Sequence, residues 1–592
     1  MSTSLLRFSG VIASAYLKYN TWLFLRKLPL GYRFIPRLIA AFGVFAASFL
    51  LQPRSRTKNT ALPVVLGFRG RNNLVDAVTI LLNTLFLMSC ADFIYRGQVL
   101  YPVHKLSTSR VGWTNSTTTR IVVSYPGPSS FNFSYTNDIT NWTVIISNFE
   151  IQNEATTITL AFLEPSTRYT YSTSLGHSGS FLTSAPESMP TTVRFISTSC
   201  MKPFFPYSPF KHPFALQGLQ HLSSYLSRNT SYSQDFILFL GDFIYTDLPI
   251  VSAPLTREYY TNLYRQIYAS PDYTPILRNT PWLHMFDDHE IINDFWPGMD
   301  VSSKTFAEAI QPFLLYQNNA NPPPLYEDVF YYTFRRGDAS FFVLDTRSYR
   351  DQPADLESGG HGKRSMLGLR QLEALKAWIR SEKGWKVVVS GVPMTQNWSK
   401  GSDAMDSWGG YLDEREEIFR ELWAVGGGII VSGDRHEHAT VKFPPPAGEY
   451  PENNAIIEFS TSPLSFFYQP FARDYEDVHE TDVTVYQHWK GTSKFGAFEL
   501  EKEVARFQLV VDGEVTFEQE RDRRDTEWMI GLQAEALSRK SAGRRHMILI
   551  VIFVLLNTGQ VHLFPSPTIC PAVQSQTWVY PTLEAKKSVN AG

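Results

Sequence analysis

The sequence predicts an α/β layered domain, preceded by a small β-sandwich and an apolar N-terminal region. From Val193 onward, buried-looking strands alternate with amphipathic helical stretches. Short β-branched and aromatic runs, punctuated by Ser, Thr, Asn, Pro and Gly, fill the segment before them. Two charge-free apolar runs precede both. The chain has 592 residues, 43% hydrophobic and 14% aromatic, which is more than one domain needs and enough for a large core. Its 54 basic and 56 acidic side chains nearly cancel, at a formal charge of −2, so no basic face for nucleic acid is evident. The three cysteines, Cys90, Cys200 and Cys570, are too dispersed for a disulfide framework.

Residues 1–96 form the N-terminal membrane region. Leu38 to Leu51 and Ala77 to Ala91 are the apolar runs, giving one or two transmembrane helices. The link between them carries Arg54, Arg56, Lys58, Arg69 and Arg71 and no acid, a pattern that stays cytosolic. The alternative is two buried helices of a soluble domain. Sequons at Asn115, Asn132, Asn141, Asn229 and Asn397 all follow the second run. Together these place the body of the chain on the lumenal or extracellular side, in the secretory pathway, with a lumenal N-terminus if both runs span.

Residues 97–187 read as the sandwich. The run Leu163-Glu164-Pro165-Ser166-Thr167-Arg168-Tyr169-Thr170-Tyr171 resembles the corner into a late strand of a fibronectin or immunoglobulin-like module. No cluster of chemical groups lies within it. Residues 188–524 hold the α/β domain, with strands at Val193 to Thr198, Phe236 to Leu240, Ser340 to Leu344, Trp385 to Ser390, Gly428 to Ser432 and Ala455 to Phe459. Helical stretches fall between them; in one, Leu372, Leu375 and Ile379 share a face. Residues 525–592 are a linker and tail, in which Met547 to Leu556 is a further apolar run, short for a span.

Chemistry in α/β domains collects beyond the carboxyl ends of the strands. Here those ends read Ser199-Cys200, Gly241-Asp242-Phe243-Ile244-Tyr245, Asp345-Thr346-Arg347 and Gly433-Asp434-Arg435-His436. The stretch HMFDDHEIINDF, His284 to Phe295, follows Pro281-Trp282-Leu283 in the same way. A lone Asp at a strand end is usually a turn cap. Several acids, a thiol, a phenol and an imidazole at successive ends are hard to read as caps, and Asp287, Asp288 and Glu290 can coexist either in a solvated turn or around one cation that explains all three.

As a set these motifs resemble the alkaline phosphatase D (PhoD-like) family of metallophosphoesterases. The matching segments are Ser199-Cys200, the G-D-x-I-Y-x-D of Gly241 to Asp247, the D-D-H-E of Asp287 to Glu290, and Leu344 to Arg350. They continue with Leu367 to Trp378, the S-G-D-R-H of Ser432 to His436, and Glu458 to Ser465. Met285-Phe286 depart from the family, which usually has a small residue and Trp there. The resemblance implies an α/β/β/α sandwich and metal-dependent hydrolysis of phosphate mono- or diesters. It implies Fe3+ and Ca2+ as cofactors, with other divalent metals possible. Carried over by motif, Cys200, Asp242 and Tyr245 bind iron, Asp242 bridges to calcium, and Asp434 and His436 complete the set. Asp288 and Asn293 are alternative occupants of one further ligand position. His289 is the expected proton donor or transition-state contact, and Arg347 or Arg435 holds phosphate oxygens. The competing function is a catalytically silent lumenal binding protein on the same scaffold.

Overall fold

A computed structural model of the chain describes residues 3–102, 106–127, 129–151, 154–187, 189–228, 234–250, 255–299, 303–352, 364–398, 405–468, 475–477, 480–523 and 529–533. Cys570, the Asn229 sequon and the run 547–556 lie outside the described residues.

The chain opens with helices α1 (Thr3–Arg26), α2 (Gly31–Leu51), α3 (Ala61–Leu66) and α4 (Asn73–Leu100). The two apolar runs fall in α2 and α4, both long and apolar enough to cross a membrane. Helix α1 was not expected, because Ser14, Lys18 and Asn20 interrupt its apolar residues. In the fold, Ser14 Oγ donates to Asn83 Oδ1 of α4 at 2.7 Å, so a polar pair is satisfied inside the bundle. Asn72 caps α4 by accepting from Val75 N, and Asp76 in its first turn accepts from Gly70 N at 2.7 Å.

The sandwich pairs two antiparallel sheets. One has the order β1 (Thr108–Thr114), β2 (Thr119–Ser124), β5 (Ala155–Leu160). The other has the order β4 (Thr143–Ile151), β3 (Ser129–Asn137), β6 (Arg168–Thr173), β7 (Ser178–Leu182). Alternation puts Tyr169 and Tyr171 of β6 inward against Val111, Ile121, Phe133 and Phe181.

The large domain is built on two seven-stranded sheets. The first runs β10 (Trp282–Met285), β9 (Phe236–Leu240), β8 (Val193–Thr198), β18 (Lys494–Leu500), β19 (Val504–Val511), β20 (Glu514–Asp522), β21 (Met529–Gln533). The second runs β11 (Tyr332–Arg336), β12 (Ala339–Val343), β13 (Trp385–Val389), β14 (Gly428–Ser432), β16 (Ile456–Thr461), β15 (His438–Phe443), β17 (Val483–His488). Their inner faces share one apolar core, in which Phe195, Phe236 and Leu238 meet Phe341, Val387 and Val431. The outer face of the first sheet is covered by α5 (Gln217–Arg228), α6 (Arg257–Tyr268), α7 (Pro275–Asn279) and α8 (Ser303–Tyr316). Helices α9 (Gly368–Ser381) and α10 (Leu412–Val425) cover the second. The layers are thus helix, sheet, sheet, helix. Strand β21 carries the first sheet past residue 524, into the segment expected to be linker.

Parallel pairing of β8, β9 and β10, and of β12, β13, β14 and β16, makes their carboxyl ends coincide at one edge. The functional side chains sit there.

Candidate active site and metal centre

Four residues beyond these strand ends hold left-handed backbone: Cys200 (φ 61°), Asp242 (57°), Asp434 (73°) and His436 (55°). Such residues cost on the order of 1–3 kcal/mol each and persist only where the surroundings impose them. The surroundings are visible. Asp434 N donates to Ser199 Oγ at 3.0 Å and His436 N to Ser462 Oγ at 2.7 Å. Gly241 (φ 94°) lets the ends of β9 and β10 touch, since a Cβ there would lie 2.4 Å from Asp287 Cβ.

The side chains converge on Asp242. One ligand atom each from Cys200, Asp242 and His436 lies within 4.8 Å of the others. Tyr245 Oη is 3.0 Å from Asp242 Oδ2 and 3.1 Å from His436 Nε2, and Cys200 Sγ is 3.4 Å from the same Oδ2. Asp242 also clusters with Asp288 and His289, and Asp288 with Asp287 and Asp434. Asp242 and Asp288 recur, so the groups that could hold a cation overlap through these two carboxylates.

The donors fit cations. Asp242 Oδ1 and Asp287 Oδ2 are buried with no hydrogen-bond partner, which is costly for carboxylates unless a positive charge faces them. Burial first, then Asp242 and neighbouring groups, pushes the Cys200 thiol and the Tyr245 phenol well above their ordinary values. Burial pushes Asp434 up to about 7. A nearby metal ion reverses that balance and favours the ionised ligands. Burial, helped by His289 and Lys494, holds His436 well below the usual range, as the neutral imidazole a metal needs.

The acid-rich stretch divides into separate roles. Glu290 brackets the ends of β9 and β10: Oε2 accepts from Asp242 N at 3.0 Å and Asp287 N at 2.8 Å, and Oε1 from Phe243 N at 2.6 Å. It needs no cation, contrary to the reading that one explains all three acids. Asp287 pairs with Arg347 through Oδ1. Asp288 is buried in the ligand cluster, whereas Asn293 is exposed, which separates two positions the sequence left as alternatives. His289 Nδ1 is 2.7 Å from Asp247 Oδ1. Burial opposes its protonation, but Asp247, Asp288 and Asp242 outweigh that and raise it well above the ordinary histidine range.

Arg347 is wholly buried. Besides Asp287, it donates to both oxygens of Asp406, at 2.6 and 2.9 Å. Its donors are committed to acids, so the structure does not present it to a phosphate as expected. Arg435 lies 3.0 Å from Asp434 Oδ2 and 3.7 Å from Asp406 Oδ2. Arg350 donates to Asp406 Oδ1 at 2.7 Å. Sequence reasoning assigned no role to Asp406, Asp247, Asp294 or Glu290. Asp247 was detectable as the last residue of the Gly241–Asp247 motif; Asp406 had no local signal.

The sequence model of the PhoD-like phosphatase family matches residues 214–509. The chain belongs to that family. Cys200 precedes the matched segment, and the fold brings it beside Asp242 and His436 within that segment. A Bacillus subtilis (strain 168) protein, alkaline phosphatase D, is 27% identical over 247 residues, 34% of this chain and 41% of the relative. The match therefore spans less than half of the relative's length. Among solved structures, that of PhoD superposes with a TM-score of 0.59 at 17% identity, over 74% of this chain and 94% of that one. A purple acid phosphatase, PPD1 from yellow lupin (Lupinus luteus) seeds, superposes with a TM-score of 0.52 at 14% identity, over 71% and 76%. At these identities the two structures establish the fold as metallophosphoesterase-like.

Proposed function

We propose that this protein hydrolyses phosphate mono- or diesters with two adjacent cations, from a catalytic domain tethered to a membrane. The convergence of Cys200, Tyr245 and His436 on Asp242 carries the reading. Thiolate, phenolate, carboxylate and imidazole suit a ferric ion, and the carboxylates of Asp242, Asp288 and Asp434 suit calcium. Bound there, cations supply Lewis-acid activation of the phosphate and of the attacking water. His289, oriented through Nδ1 by Asp247, keeps its other nitrogen for the proton taken by the leaving alkoxide. Arg435 is the arginine best placed for phosphate oxygens, while Arg347 positions Asp287 and Asp406. Each expected ligand type is present, so a silent binding scaffold is not favoured.

The sandwich supports an immunoglobulin-like reading. Glu164 N donates to Tyr169 Oη at 2.9 Å, a tyrosine bonded back to the backbone upstream of its strand.

Membrane attachment rests on α2 and α4, which at 1.5 Å per residue are each about 30 Å long or more. Their far end carries the basic loop with Arg54, Arg56, Lys58, Arg69 and Arg71, which favours a catalytic domain on the opposite, lumenal or extracellular side. Asn132 and Asn141 are exposed and fit that side. Asn397 does not: its side chain is buried, and Nδ2 donates to Tyr475, Asp482 and Thr484. Helix α1 returns alongside α2, with Ser9 Oγ 3.0 Å from Ser48 Oγ, so the N-terminus lies at the basic-loop end. Two spans alone would have put it with the catalytic domain.

The test is metal analysis of the detergent-purified chain together with a panel of soluble mono- and diesters. Bound metal with turnover is expected; metal-free protein inert toward every ester would refute the proposal.

A further inference from the structure

The N-terminal bundle does not hang from the catalytic domain by a flexible tether. It forms part of the wall around the metal ligands. Leu23 and Phe24 of α1, Phe34 and Leu38 of α2, and Phe93 of α4 share one apolar core with Cys200, Tyr245 and Phe466. Gly31 N donates to Pro249 O at 2.7 Å, and a Cβ on Gly31 would lie 1.9 Å from that oxygen. Arg26 Nη1 donates to Tyr207 O at 3.0 Å. The ligand site and the ends of the helices are thus one packed unit.

The same end of the bundle has the character of a bilayer interface. Exposed aromatics stand there on all three long helices: Trp22 on α1, Tyr32 on α2 and Tyr95 on α4. Further along the helices, the exposed side chains are aliphatic, such as Ile12, Ile39, Val44, Leu81 and Leu85. Beyond them lies the basic loop. The charge-free run Leu38 to Leu51 is roughly 21 Å long at 1.5 Å per residue, and the exposed Arg33 and Arg37 lie between it and Tyr32, where they can reach the headgroup layer. An aromatic belt at this level sets the headgroup layer at the catalytic face.

Between the belt and the ligands lies an open cleft of about 540 Å³, lined by Trp22, Arg26 and Lys27 of α1 and by Tyr468 and Lys490 of the catalytic domain. Lys27 Nζ stands 5.2 Å from the Tyr468 ring centroid. Asp512, which accepts from the backbone of Thr492 and Ser493 at 3.0 Å, faces Arg26, Lys27 and Lys490 there, so the cleft is basic on balance. None of the ligands lines the cleft; Phe467, the neighbour of Tyr468, stands beside them with its ring 4.7 Å from that of His436. Lys494 Nζ donates to His436 O at 3.1 Å and lies 6.0 Å from the Tyr468 ring.

We infer that the substrate is a phosphate ester carried by a membrane lipid, whose tail stays in the bilayer while its anionic headgroup enters through this cleft. The inference deepens the proposed function and rests on it. The basic side chains attract the headgroup phosphate at the level of the aromatic belt. Hydrolysis then follows the proposed chemistry: water oxygen bonds to phosphorus, the phosphorus–oxygen bond to the alcohol breaks, and the alcohol leaves with a proton.

The experiment reconstitutes the full chain in phosphatidylcholine vesicles containing phosphatidic acid and phosphatidylglycerol, and follows loss of each parent lipid. Glycerol 3-phosphate and p-nitrophenyl phosphate serve as soluble esters. Wild-type protein is expected to consume a vesicle lipid. The double variant Lys27→Ala, Lys490→Ala should lose about thirtyfold on the lipid, at about fivefold per headgroup-facing charge. It should lose much less on p-nitrophenyl phosphate, which has no tail to hold it at the belt, and keep its membrane-bound fraction. Wild-type protein that turns over the soluble esters but leaves every vesicle lipid intact overturns the inference and spares the hydrolase reading. Equal losses of the variant on soluble and vesicle esters, or none on either, also overturn it. Protein inert toward all the esters refutes the hydrolase reading, and the inference with it.

Discussion

Asp406 is the residue on which three arginines depend, and its removal tests whether the acids around the site are held by charge or by metal. Its carboxylate is buried and accepts from Arg347 at 2.6 and 2.9 Å and from Arg350 at 2.7 Å, with Arg435 at 3.7 Å. Burial alone would raise its pKa, but Arg347 and Arg350 reverse this and hold it well below the usual carboxylate range. Asp406→Ala takes the carboxylate from buried Arg350 and one of two from buried Arg347, and breaking such a pair costs about 3–5 kcal/mol. Asp406→Asn keeps an acceptor and loses only the charge, so its cost should be smaller, about 1.5–3 kcal/mol. The assay is the midpoint of urea unfolding beside metal content at neutral pH. Because the folded pKa is depressed, the contribution is present above the ordinary Asp range, near pH 4, and is lost as pH falls below it. The Asn variant should therefore show a shallower acid limb than wild type. If Asp406 acts as the ion-pair hub, Asp406→Asn retains its metal. Asp406 also lies close to Asp288 and Asp294, so a direct ligand role has a distinct signature. Metal lost as completely as in Asp288→Ala, with the unfolding midpoint unchanged, would refute the reasoning.

Asp288→Ala should lose metal and activity together, whereas His289→Ala should keep its metal and lose about 100- to 10,000-fold in kcat, less for nitrophenyl esters that leave without protonation. Metal stripped equally from both would make His289 a ligand. With iron bound, the protein should show a visible charge-transfer band that Tyr245→Phe abolishes; a band unchanged in the variant removes Tyr245 from the iron shell. Glu458 accepts from Met394 N, Thr395 N and Ser432 Oγ, and burial pushes it up to about 7. Raised in the fold, it favours the folded state fully below the ordinary Glu range and loses that contribution, about 3 kcal/mol, as pH rises through about 7. Glu458→Gln should flatten this decline in unfolding midpoint; parallel curves for the two proteins would contradict it.

Much of the domain was legible because its buried strands are short apolar runs bounded by turn residues. Val193–Thr198, Phe236–Leu240 and Gly428–Ser432 form where the sequence predicts, each ending at the residues that carry chemistry. Strands β18 to β20 were missed. Strand β19 alternates partly buried with buried positions, and its outer face carries Arg506 and Gln508, so the apolar signal is diluted by half. Helix α1 was missed for a related reason: Ser14 and Lys18 read as polar interruptions until Asn83 and the carbonyls of Val64 and Val65 receive their donors. Asp406 illustrates the harder limit. Its neighbours Ser402, Asp403 and Ser407 look like a solvated loop, and only the fold brings in Arg347 and Arg350 from another strand end.

The acids that opened the question, Asp287 to Asp294, are tolerated by three different means, and the difference separates scaffold from chemistry. Glu290 is neutralised by backbone N–H groups and Asp287 by Arg347, so both would keep their partners in a protein without metal. Asp294 is only partly buried, yet burial and nearby Asp406 and Asp288 push it up to about 7, so it gains a proton where no cation reaches it. Asp288 Oδ2 accepts from Asp294 N and Asp242 Oδ2 from Tyr245 Oη, but the other oxygen of each has no hydrogen-bond partner. The nearest guanidinium nitrogen to Asp288 Oδ1 is 3.5 Å away on Arg347, whose shorter contacts go to Asp287 and Asp406. Asp242 Oδ1 has no hydrogen-bond partner at all. At the meeting point of several strand ends, beside a thiol, a phenol and a neutral imidazole, these carboxylates favour the protonated form of His289 and gain further from any cation bound there. That charge then sits where phosphate oxygens can reach it, and His289 lies on the same cluster with its proton held by Asp247. The scaffold thus compensates Glu290 through backbone N–H groups and Asp287 Oδ1 through Arg347, and leaves Asp242 Oδ1 unpaired at the centre of the cluster.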